Sequence, residues 1–295
     1  MAVQEQRAHR HESPLSRFWR RFRAHPINVV AAAGVLLLLV IGIIGPWIAP
    51  ADPLLQDINA RRLGPFSPGH LLGTDHLGRD LLSQLLHGAR VAVQAAGIAV
   101  GVGIVLGVPT GLLSGYVGGW LDSILSRLAD ALLTFPPLLL AMAIVGVMGP
   151  NLRNAMGAIG LVFAPRFFRI VRASVLSVRE ATYIEAAHSI GTPTVQILRR
   201  HVLPNVLSPI IVQISLATGF AILAEASLSY LGLGVRPPAP SWGRMLNDGR
   251  ASWFYTTWPV LLPAVTIILS VLVCNLLGDG TRDSLGREER GGGAR

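Results

Sequence analysis

The chain has 295 residues, of which 51% are hydrophobic and 14% charged, and its mean hydropathy is positive, so its apolar runs must be measured against the length of a bilayer crossing. All 25 basic residues are Arg, and the absence of Lys excludes a P-loop ATPase, whose lysine must reach the terminal phosphates of the nucleotide. The net charge of +9 would suggest nucleic acid in a soluble protein, but the arginines cluster beside apolar runs, which points to membrane topology instead.

Residues 1–28 read as a polar tail with Arg7, Arg10, Arg17, Arg20, Arg21 and Arg23. An apolar run from Val29 to Ala49 follows, about the 20 residues of one crossing. It is too long for a signal-peptide core, and Gly45, Pro46 and Trp47 make a poor cleavage site. Positive charge beside the first span predicts a cytoplasmic N-terminus and places the polar stretch from Pro50 to His87 outside. Residues 29–88 are therefore expected to hold the first span and an extracytoplasmic loop. In that loop His70, Asp75, His76 and Asp80 have the chemistry of metal ligands, but Asp75 and Asp80 are better placed as turn and cap residues where the chain re-enters the membrane.

A membrane core of five further helices is expected over 89–280, from apolar groups at roughly 91–114, 131–149, 154–176, 206–230 and 258–278. Gly103, Gly107, Gly111 and Gly115 recur every four residues on one helical face, where a neighbouring backbone can approach. The segment does not read GxGxxG, so it is no nucleotide loop. Pro109, Pro136, Pro137 and Pro165 fall within or at the ends of spans, where kinks are tolerated. Arg166, Arg169 and Arg172 form a stripe expected to reach lipid phosphates or a partner subunit. Glu225 lies late in the fifth span, where an ionised group either faces a partner or watery cavity or caps a neighbouring helix near the surface. Six crossings return residues 281–295 to the cytoplasm, with Arg282, Arg287, Arg290 and Arg295 as the positive flank. Cys274 is the one cysteine and has no partner in the chain.

The stretch from Glu180 to Pro204 reads as two short helices with a sharp joint. Gly191 suits the left-handed position that ends the first, Thr192 and Pro193 suit the cap and first turn of the second, and Pro204 is expected to stop it. Ala186 and Ala187 allow close approach and Glu185 offers a charge, so the element is fitted to be gripped by a soluble partner or to lie as an amphipathic connector at the lipid surface. No Ser-His-Asp set, carboxylate pair or cofactor loop is present in the sequence, so no catalytic residue is assigned and the chain is not read as an enzyme.

Glu185-Ala186-Ala187, Gly191 and Leu203-Pro204, at this spacing, resemble the EAA signature of ABC importer permeases. His201 stands where that family usually has Ile. Leu72-Gly73-Thr74-Asp75 with Leu77-Gly78-Arg79-Asp80, Gly88-Ala89-Arg90, Leu231-Gly232-Leu233-Gly234 with Ser241-Trp242-Gly243, and Leu277-Gly278-Asp279-Gly280 with Arg282-Asp283 follow in order and are similar to the dipeptide and oligopeptide permeases of the DppC and OppC type. The resemblance runs from the first span to Asp283. It implies an all-α membrane protein with six transmembrane helices in the type I importer permease fold and both termini cytoplasmic. It further implies a coupling loop at 180–204 that docks on two separate ATPase subunits, which use ATP and Mg while this chain binds no cofactor. A second, homologous permease, an extracytoplasmic solute-binding protein and a peptide substrate complete the implied partners. Nickel or another small solute in the same architecture, or an ATP-independent channel or secondary transporter, are the alternatives.

Overall fold

The structure, a computed structural model, describes residues 14–286, and these are mostly helical apart from long loops over 49–80 and 231–241. They form α1 (Pro14–Ala24), α2 (Pro26–Ile48), α3 (Leu81–Val117), α4 (Gly119–Leu133), α5 (Pro137–Met148), α6 (Leu152–Arg179), α7 (Thr182–Ser189), α8 (Thr194–Ile197), α9 (Leu203–Tyr230), α10 (Trp242–Gly249) and α11 (Trp258–Gly286). Local chemistry sets the starts: Asp80 accepts from Ser83 N–H at the head of α3, Asn151 from Asn154 N–H at α6, and Ser241 from Arg244 N–H at α10, each satisfying an orphan donor of the first turn.

Among the described residues, α2, α3, the run Thr194–Tyr230 and α11 are each long and apolar enough to cross a membrane, and α4 with α5 makes a fifth candidate bent by 91°. The bend falls where Pro136 and Pro137 follow Thr134, since a residue before proline avoids the helical region. The stretch expected as a span at 154–176 is helical, as part of α6, but five arginines along α6 keep its hydropathy low. The expected start of the membrane core at residue 89 falls inside α3, which begins at Leu81 because Asp80 is its cap. Within the stretches expected as tails, residues 14–24 are helical and 281–286 continue α11. Arg7, Arg10, Arg287, Arg290 and Arg295 lie outside the described residues.

The core centres on α3 and α6, which run parallel. A Cβ on Gly103 would stand 2.9 Å from Phe163 Cβ, on Gly107 2.6 Å from Phe167 Cβ, on Gly111 2.9 Å from Val171 Cβ and on Gly115 2.8 Å from Val175 Cβ. Without side chains at these four positions the two helices close to backbone distance, the small-residue packing that substitutes for a hydrophobic driving force in lipid. α9 packs antiparallel to α11, with Gly219 facing Cys274 and Gly278 facing Leu216. α1 folds back on the end of α11, where Asn28 Nδ2 donates to Phe22 O (3.3 Å) beside Gly280. The two ends of the described chain thus meet at the end of the bundle that carries α7 and α8, opposite the end that carries α10.

Candidate functional site

The segment from α7 to the start of α9 is a helix, a turn and a second short helix. Gly191 has φ of +79°, and Thr192 N–H donates to Ala187 O (3.0 Å), the six-to-one bond of a Schellman motif that closes α7. An L-residue at that φ is strained, so glycine is what lets the chain turn. Thr192 is not the cap of α8, as its spacing suggested. Pro193 takes that place, its carbonyl accepting from Gln196 and Ile197 N–H. Nor does Pro204 stop the second helix. It lies in the first turn of α9, where a missing N–H costs little, and a π-turn over Leu198–Val202 feeds α8 into α9.

Burial sorts the side chains of this element into anchors and outward groups. Ile184, Ile197 and Val202 are fully buried in the core and Ala187 packs with them. Glu185, Ala186 and Gly191 are exposed, Leu203 half-buried and Pro204 exposed. Ile190 is 82% and Val195 74% exposed, so two apolar side chains flank the turn uncovered. Tyr183 and Asn205 tie α7 to α9, with Asn205 Nδ2 donating to Tyr183 Oη (3.3 Å) and to His201 O (2.7 Å).

The opposite end is built on charge. Asp75 accepts from Leu77 N–H (2.8 Å), Arg79 N–H (3.0 Å), Arg79 Nε (2.6 Å) and Gln84 Nε2 (3.1 Å). Arg79 Nη2 also donates to Asp248 Oδ2 on α10 (2.9 Å). Burial opposes the Arg79 charge, but Asp75 and Asp248 outweigh it and hold the guanidinium pKa above its ordinary value. Asp80 caps α3 and meets His70 Nδ1 (3.0 Å). The carboxylates of Asp75 and Asp80 are thus committed to donors within the chain. Gly73 and Gly78 turn at φ near +80° against the backbone of Leu63 and Asp57. Trp242 is buried, lies over Gly88 and donates its indole N–H to Leu85 O (3.0 Å).

Glu225 is 1% exposed and accepts from Ser229 Oγ (2.6 Å), while Ser229 Oγ in turn accepts from Val235 N–H (3.2 Å). Within this chain it braces the end of α9 and the loop after it. The arginine stripe divides: Arg172 Nη2 pairs with Asp122 (2.6 Å) and Arg169 with Asp130, both on α4, whereas Arg166 lies over the Phe220 ring. Two of its members are therefore paired within the chain. Asp122, Asp130 and Asp248 were not picked out from sequence. Arg244 and Asp248, four apart on α10, were the available signal.

A family model described as the binding-protein-dependent transport system inner membrane component matches residues 107–290, and one for the N-terminal TM domain of oligopeptide transport permease C matches residues 13–65. The glutathione transport system permease protein GsiD of Shigella flexneri serotype 5b (strain 8401) is 44% identical over 280 residues, covering 95% of this chain and 92% of that protein. GsiD of Escherichia coli O6:K15:H31 (strain 536 / UPEC) is 42% identical with the same coverage. An inward-facing crystal form of the MetNI methionine ABC transporter shares the fold, with a TM-score of 0.57 at 19% identity over 68% of this chain and 96% of that one. The protein is accordingly a multi-pass permease of the bacterial inner membrane without an ATPase site of its own. By both family models and by relatives matched along nearly its whole length, the chain belongs to the binding-protein-dependent transport system inner membrane components, in the oligopeptide-type branch of the ABC importer permeases.

Proposed function

We propose that this permease carries small peptides, glutathione among them, into the cell, and that the turn between α7 and α8 receives the force of two ATPase subunits. ATP and Mg are handled by those subunits, a second and different permease completes the pore, and a solute-binding protein delivers the peptide from outside. The chain crosses the membrane six times, with α4 and α5 together as the third crossing and α6 as the fourth, and both termini are cytoplasmic. Parallel α3 and α6, antiparallel α9 and α11, and the meeting of α1 with the end of α11 all suit that count.

The carrying observation is the pairing of uncovered Ile190 and Val195 with buried Ile184, Ile197 and Val202. Pressure on the turn reaches the bundle because α8 passes into α9 without a break and Ile184 is embedded in the core. Uncovered apolar side chains together with the exposed Glu185 on the same element make a surface that a protein cleft covers favourably. Glu185, Ala186, Ala187, Gly191, Leu203 and Pro204 are assigned to this coupling surface. Gly73, Asp75, Gly78, Arg79, Asp80 and Trp242 are assigned to a rigid extracytoplasmic platform, Gly103, Gly107 and Gly111 to helix packing, and Glu225 to bracing.

Cysteine cross-linking in the assembled transporter tests the arrangement. Ile190→Cys should cross-link to an ATPase subunit and change its yield with nucleotide, while Phe254→Cys, beside α10, should cross-link only to the binding protein. Cross-linking of Phe254→Cys to the ATPase, with none at Ile190→Cys, would reverse the orientation and remove the coupling assignment.

A further inference from the structure

About halfway along α6, α9 and α11 a cavity of about 300 Å³ opens among Phe163, Arg166, Gln213, Phe220, Val271 and Asn275. Its depth makes its polarity unusual. Arginine within a membrane span is costly and is retained where it faces a partner or water. Arg169 and Arg172, one and two turns further on, are paired with Asp130 and Asp122. Arg166 has no carboxylate partner among the described residues. Its guanidinium stands 5.5 Å from the centre of the Phe220 ring, and Phe163 meets that ring edge-on at 5.7 Å, which leaves the donor edge of the guanidinium unclaimed. The carboxamides of Gln213 and Asn275 also lack hydrogen-bond partners among the described residues. Gly219 gives Asn275 its place, for a Cβ there would stand 3.0 Å from Asn275 Oδ1.

We infer that this cavity is a transit site for an anionic group, with Arg166 receiving the carboxylate of the passing solute and Gln213 and Asn275 offering amides to its polar backbone. The inference rests on the importer reading above and adds the group that is recognised. A guanidinium binds a carboxylate through two parallel donors, whereas a carboxamide both donates and accepts and so suits a peptide bond. A cation held by an aromatic face, with no resident anion, is favourable enough to attract a carboxylate and leaves no competing charge to displace.

The test uses the assembled transporter with cysteine-free partners, in phosphatidylcholine nanodiscs, and this chain as Cys274→Ala with Gln213→Cys. Labelling rates are compared for a negatively charged methanethiosulfonate bearing a sulfonate and a positively charged one bearing trimethylammonium. The sulfonate reagent should react on the order of tenfold faster, and Arg166→Met should abolish or invert that preference while Arg166→Lys keeps it. No labelling, or equal rates, would overturn the site, and equal rates are also what a guanidinium already neutralised by lipid phosphate would give. In proteoliposomes, Arg166→Met should lower uptake of a free-acid dipeptide at least tenfold per ATP hydrolysed, with Arg166→Lys restoring most of it. Unchanged uptake per ATP in Arg166→Met would likewise overturn the site. A charge preference at Gln213→Cys without peptide uptake by the unsubstituted transporter would retain the anion site and discard the peptide reading, and uptake without a charge preference would do the reverse.

Discussion

The two ends of the bundle are made of different materials. At the α10 end, Asp75, Arg79, Gln84 and Asp248 tie a loop, α3 and α10 into one buried charged network, and Trp242 plugs the space over Gly88. At the α7 end, few side-chain bonds hold the turn, and Ile190 and Val195 stand in the open. Buried charge held by several partners resists displacement because each group left alone would be unsatisfied. A short helix anchored by a few apolar side chains can tilt as a unit. In the proposed function the first end is a fixed platform and the second a lever, so substitutions at the first should be felt as stability and at the second as function.

The largest effect is expected at the platform. Arg79→Ala leaves the buried Asp75 without its cation and Asp248 with only the more distant Arg244, and should cost about 3–5 kcal/mol, seen as a sharp loss of folded protein in detergent and a lowered Tm. Next comes the interface that both ends share: Gly107→Leu must fit a branched side chain where a Cβ alone would stand 2.6 Å from Phe167 Cβ. Overpacking of this kind costs about 1–3 kcal/mol, and thermal unfolding of the purified permease pair would report it. At the lever, Gly191→Ala meets a left-handed backbone at about 1–2 kcal/mol and should loosen α7 with only a small change in Tm, readable as faster hydrogen exchange confined to 182–192. Ile190→Ser is exposed and should move stability by no more than about 0.5 kcal/mol, yet weaken binding of the ATPase subunits. A fall in Tm at Ile190→Ser as large as that at Arg79→Ala would erase the distinction.

Much of this was legible in the residues, for identifiable reasons. Apolar runs give helices in lipid because no other local structure satisfies the backbone there, and the four-residue glycine spacing marks a helix face whatever its partner. Gly191 was readable because a left-handed turn after a short helix admits little else. The partner of Arg79 was not readable, since Asp248 lies far away in sequence and only the packing of α10 on α3 brings it near. Thr192 misled because a residue before proline is held extended, and Pro193, itself in the first position of the turn, supplied the capping carbonyl. Pro204 misled for a related reason: the same ring that ends a helix from within opens one from its first turn, and a π-turn over Leu198–Val202 leads into it. Arg166, Arg169 and Arg172 looked alike along the chain, and only the presence of α4 on one side and α9 on the other separates the paired from the unpaired.

Coupling of ATP hydrolysis to movement of the bundle through the α7–α8 turn is tested most directly by ATP-dependent peptide uptake in proteoliposomes holding this chain with its partner permease, ATPases and binding protein. The double variant Glu185→Arg, Gly191→Pro should assemble, keep the Tm set by the α10 platform to within a few degrees, and lose uptake. Uptake at the unsubstituted rate in that variant, or uptake equally fast without ATP, would contradict the account.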